Sequence, residues 1–114
     1  MPARIETGEE IISVYLSGEI DHHNAKKLRE DIDDAVERAL PALLRLDFGG
    51  VEFMDSSGIG LVLGRYRLMQ DLGGRLELCS LPAHIRKVMH LAGIDHLGVP
   101  TDSPYTKEAQ QNAD

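Results

Sequence analysis

The 114-residue chain has one cysteine, no tryptophan and only 4% aromatic residues. A lone cysteine, Cys79 in "RLELCS", excludes an internal disulfide and reads as a small buried hydrophobe in a reducing compartment. With so few aromatics, the core is left to Leu, Ile and Val. No apolar run approaches the roughly 20 residues of a membrane span, and no signal-type apolar region follows Met1. The expectation is a soluble cytoplasmic protein with no membrane partner. Basic residues are also scarce: 12 Lys and Arg stand against 19 Asp and Glu, a net charge of -7. No basic stripe is present, which makes nucleic acid a poor direct partner.

What is there fits one domain, 1–114, large enough to bury a core unaided. "RIETG" reads as an edge strand. In the next segment Ile12, Val14 and Leu16 alternate with Ser13, Tyr15 and Ser17, which is strand periodicity. Asp21 is placed to N-cap a helix of about 17 residues. That helix has Leu28, Ile32 and Val36 on its apolar face and Lys26, Lys27, Glu30, Asp33, Asp34 and Glu37 opposite. Pro41 ends it. "ALLRLDF" reads as a central strand, "GGVEFM" as a loop, and 57–72 as a helix facing inward with Ile59, Val62, Leu63, Tyr66 and Met69. "RLELCS" is a further strand, and "AHIRKVMHLAG" a helix opened by Pro82. "HLGVP" reads as a last short strand, and 103–114 as a short helix or a disordered tail. The order β β α β α β α β α predicts an α/β fold: a four- to five-stranded mixed sheet, mainly parallel, with about four helices.

The stretch "VEFMDSSGIGLVLGRY" concentrates the unusual chemistry. Ser56 or Ser57 as a nucleophile lacks the leading glycine of a Gly-x-Ser-x-Gly elbow, and no histidine comes with a recognisable partner. Capping by Asp55, Ser56 or Ser57, and a modified or binding serine, both remain open. Metal sites find little support. His22 and His23 are adjacent and leave a helix about 100° apart, and no cysteine pair or His-x-x-x-His is present. Gly58, Gly60 and Gly64 lack the lysine of a phosphate loop. No metal and no cofactor is expected.

The glycines still need a reason, because each costs a helix roughly 0.5–1 kcal/mol relative to alanine. Gly60 and Gly64 share one stripe that lets another backbone come close. Packing on the protein's own sheet is one explanation. The apolar side chains already face the sheet, so a partner protein against the helix start is favoured.

"FMDSSGIGLVLGRYRLM" and "LSGEIDHHNAKKLREDI" resemble the anti-sigma factor antagonists of spore-forming bacteria, the stage II sporulation protein AA type, within the STAS domains. The likeness spans about residues 4–100. It implies a STAS fold and a partner switch without enzyme activity. The unphosphorylated protein binds an anti-sigma factor that is also a serine kinase, and a sporulation sigma factor is released. Phosphorylation separates the complex, and a serine phosphatase restores it. The resemblance implies Ser56 as phosphoacceptor, with Asp21 close by. Asp21, Asp55, Ser56, Ser57, Gly58, Gly60 and Gly64 become the partner-binding surface of a chain that is monomeric when free. A general stress-response antagonist or a stress-complex scaffold is the alternative within the same family.

Overall fold

The computed structural model describes residues 3–101. Strand β1 (Ala3–Thr7) is followed by β2 (Ile11–Ile20), α1 (His22–Ala39), β3 (Leu43–Met54), α2 (Ser56–Asp71), β4 (Arg75–Cys79), α3 (Ala83–Leu91) and a 3₁₀ turn (Ile94–Leu97). The sheet order is β1-β2-β3-β4. β1 pairs with β2 antiparallel, while β2 with β3 and β3 with β4 are parallel. Both parallel crossovers step the same way across the sheet. Right-handed crossovers therefore put α1 and α2 side by side on one face.

The alternation in β2 is realised: Ile12, Val14, Leu16 and Ile20 are buried with Leu44, Leu46 and Phe48 of β3. Leu28, Ile32 and Val36 of α1 close over them. Leu40 ends α1 in the left-handed conformation, its N–H donating to the Val36 carbonyl at 2.7 Å, and Pro41 forbids a further turn.

Two expectations are corrected. "GGVEFM" is not a loop: β3 runs on through Gly49 and Gly50 to Met54. The pairing with β2 survives there through two register shifts, between Tyr15 and Ser17 and between Gly18 and Glu19. At Gly50 a side chain would be crowded, since a Cβ on it would lie 2.9 Å from that of Ser17. The last strand at 96–100 is absent. Gly93 and Gly98, both at positive φ, bracket the 3₁₀ turn instead, and one bond, Leu78 N–H to the Pro100 carbonyl, ties the chain to β4. Among the described residues the sheet thus has four strands. The expected helix or tail at 103–114 lies outside the described residues.

Candidate functional site

The extension of β3 builds the site. β2 and β3 end in register, Ile20 beside Met54, and the Asp55 N–H donates to the Ile20 carbonyl at 3.2 Å. Asp21 and Asp55 are the next residues, and each caps a helix. Asp21 Oδ1 accepts from the Asn24 N–H at 3.0 Å, and Asp55 Oδ1 accepts from the Ser57 N–H at 2.8 Å. Asn24 Nδ2 donates to the Glu19 carbonyl at 2.9 Å, fastening the start of α1 to the end of β2. Two parallel helices therefore begin side by side at one end of the sheet.

Among the three capping candidates, Asp55 does the work. Ser56 is then the first residue of α2, exposed, and its hydroxyl has no hydrogen-bond partner among the described residues. It lies where helix N–H groups are unsatisfied and the helix dipole is positive. It has no hydrogen-bonded histidine to activate it as a nucleophile. Ser57 is half-buried. It lines a groove of about 420 Å³ between α1 and α2 with His22, Lys26, Arg29, Gly60 and Leu61.

The three glycines separate. Gly58 is buried, and a Cβ there would lie 2.1 Å from Met54 Cγ. The protein's own packing requires glycine at that position. At Gly60 and Gly64 a Cβ would meet nothing within 4 Å. The sheet needs neither, so these two carry the helix penalty for some other reason.

The inward face of α2 includes the expected residues but is wider, and its most buried positions differ. Gly58, Leu61, Val62, Arg65 and Met69 are buried, whereas Ile59, Leu63 and Tyr66 are half-buried. Tyr66 instead donates its hydroxyl to the Leu97 carbonyl at 3.3 Å. Sequence reading missed Lys26 and Arg29 as groove residues and placed Asp33 on the solvent face. It also missed Phe53, half exposed three residues before Ser56.

Elsewhere, Cys79 is buried, and burial, with the Asp47 carboxylate nearby, pushes its thiol up to about 12. A larger cavity, about 550 Å³, opens under α3 between Leu81, Met89 and His90 and contains none of the sequence candidates. Among the described residues no three His, Cys, Asp or Glu side chains gather to hold a metal ion, and no helix is long and apolar enough to cross a membrane.

The STAS domain model matches residues 3–107. The chain is 34% identical over 84 residues to the anti-sigma F factor antagonist of Paenibacillus polymyxa, covering 74% of this chain and 72% of that one. It is 31% identical over 90 residues to the anti-sigma-B factor antagonist of Bacillus subtilis (strain 168), covering 79% and 81%. The solved structure of the anti-sigma factor antagonist SpoIIAA in its unphosphorylated form superposes with a TM-score of 0.80 at 29% identity, over 97% of this chain and 96% of that one.

Proposed function

This chain belongs to the STAS domain family, and from that premise we propose that it is an anti-sigma factor antagonist switched by phosphorylation of Ser56. The unphosphorylated form binds an anti-sigma factor that is also a serine kinase, and so frees a sporulation sigma factor in the cytoplasm. A serine phosphatase resets it. The role is regulatory, not catalytic, and the free chain is a monomer. The observation that carries this reading is the free, exposed Ser56 hydroxyl at the first turn of α2, with Asp55 already serving as cap.

The physics of the switch follows from that placement. A phosphate brings about -1.5 to -2 charges. At a helix N-terminus it is locally tolerated, so the fold persists. A partner interface closed over Ser56 would instead enclose a dianion beside Asp55 and Asp21, with a desolvation cost of several kcal/mol. The surface is what changes. Gly60 and Gly64 leave room for a partner backbone to approach it.

A second reading, control of a general stress sigma factor, is favoured by the likeness to the anti-sigma-B factor antagonist. The site and the switch are the same in both. The kinase that accepts the chain distinguishes them.

The test is intact-mass spectrometry after incubation with ATP and a purified anti-sigma serine kinase of the same organism, with mapping of the site. One added phosphate on Ser56 is expected. No phosphate, from a kinase active on another substrate, overturns the switch for that partner.

A further inference from the structure

Along α1, residues 22, 26, 29 and 33 are spaced three or four apart and share one stripe. That stripe faces α2. Its last member, Asp33, is taken up by Arg65 of α2 at 2.8 Å. Lys26 and Arg29 are exposed and have no ion pair among the described residues, although Arg29 lies near enough to Asp33 for its charge to pull that carboxyl's pKa down. Lys27, Arg38 and Arg45 are paired, with Asp31 at 3.0 Å, Asp34 at 3.9 Å and Glu77 at 2.6 Å, whereas Arg67, Arg75, Arg86 and Lys87, like Lys26 and Arg29, form no ion pair among the described residues. The groove beside Lys26 and Arg29 has Ser57 and Leu61 on its α2 wall and is open at Gly60. The two acids at its head, Asp21 and Asp55, are turned onto the N–H groups of their own helices.

We propose, resting on the antagonist reading above, that this α1–α2 groove receives an acidic segment of the anti-sigma factor, with Lys26 and Arg29 as the cations that select it. Charge complementarity argues for this occupant. A chain of net charge -7 repels an acidic segment at long range, so such a segment needs unpaired cations where it lands, and of those among the described residues Lys26 and Arg29 are the ones that share a groove with Ser57. Continuity argues for it too. Ser57 lines the groove and adjoins Ser56, so a partner that reaches Ser56 covers the groove as well. The same placement deepens the switch. A phosphate on Ser56 sets negative charge at the landing point of a negative segment, and the two repel.

The experiment is stopped-flow association of the unphosphorylated chain with the purified anti-sigma serine kinase. It compares Lys26→Gln/Arg29→Gln and Lys26→Glu/Arg29→Glu with a control, Arg86→Gln/Lys87→Gln, on exposed α3. The expected result is association about tenfold slower for the neutral pair at low salt, and slower still for the reversed pair. The difference should shrink toward 1 M salt, where the screening length is about 3 Å. The control should keep the wild-type rate. Unchanged melting confirms that each variant is folded. A reversed pair that associates at the wild-type rate or faster overturns the inference and leaves the antagonist reading standing. Failure of the wild-type chain itself to bind overturns the antagonist reading instead. Calorimetric binding of ATP alone, or a dimer in sedimentation, that the neutral pair abolishes assigns the groove to a nucleotide or to a second copy and also overturns it.

Discussion

Asp33 Oδ1 lies 2.8 Å from Arg65 Nε across the packed faces of α1 and α2. Arg65 is 5% exposed, and its Nη1 is buried without an acceptor among the described residues. The contact is an ion pair without a hydrogen bond. Burial lowers the Arg65 pKa and raises that of Asp33, in each case against the pull of the opposite charge. Removal from water therefore costs this pair more than attraction returns. It joins α1 to α2 on the same stripe of α1 that carries Lys26 and Arg29.

The first prediction concerns that pair. Replacing both members with apolar residues of similar volume, Asp33→Leu with Arg65→Met, should leave stability unchanged or raise it by about 1–4 kcal/mol. Urea unfolding measures it. A clear loss would show that the pair contributes net stability after all.

The second concerns pH. The folded Asp33 carboxyl has its pKa above the ordinary 3.8, mainly through burial. Between the two values the folded state holds the proton more firmly than the unfolded chain does. Asp33 therefore makes stability fall as pH rises through that window. Asp95, whose pKa is held down by its hydrogen bond to His90, acts with the opposite sign: its contribution is present above 3.8 and is lost as pH falls through its lowered folded value. Both act in the wild type, so the informative quantity is the difference between wild type and Asp33→Asn. Urea midpoints across the carboxylate range should show the variant gaining on the wild type as pH rises. A constant difference would remove Asp33 as the cause.

How much of this was legible in the sequence depends on how distinct each helix face is. In α1 the apolar positions are few and evenly spaced, so Leu28, Ile32 and Val36 were assigned to the core correctly. α2 is apolar around most of its circumference, from Ile59 through Leu63 to Leu68. Periodicity then fixes the phase poorly, and a buried arginine cannot be told from an exposed one. The end of β3 was illegible for another reason. Gly49 and Gly50 signal a turn, yet here they let two strands shift register and continue. Asp21 was legible as a cap because capping is local, while at 55–57 the same logic left three candidates, of which Asp55 is the one that caps. The adjacency of Asp21 and Asp55 followed only from strand order, which no local pattern encodes.

The third prediction separates the glycines. Gly58→Ala drives its Cβ into Met54, a buried side chain, and should cost about 1–3 kcal/mol. A second substitution, Met54→Ala, should recover part of that loss. Gly60→Ala and Gly64→Ala meet open space and should each stabilise by about 0.5–1 kcal/mol. Under the proposed function the same two substitutions weaken binding to the anti-sigma factor, because they fill the room left for its backbone. Stabilised variants that bind at wild-type affinity would show that Gly60 and Gly64 serve no partner.

The last prediction tests charge against shape at Ser56. Its hydroxyl caps nothing, so Ser56→Ala should fold with wild-type stability, within about 0.5 kcal/mol. It should bind the anti-sigma factor and accept no phosphate, leaving the sigma factor active. Ser56→Asp places a carboxylate where the dipole of α2 favours one, so it too should fold normally. Its charge would nevertheless be enclosed in the interface beside Asp55, and binding should weaken by about 2 kcal/mol or more, some thirtyfold. Calorimetry on both variants, with melting curves alongside, reads the two effects apart. If Ser56→Asp bound like the wild type, charge would not be the switch, and the bulk of the phosphate or a movement of α2 would have to carry it. If Ser56→Asp unfolded, the tolerance of negative charge at this helix start would be wrong, and the switch would act through the fold instead of the surface.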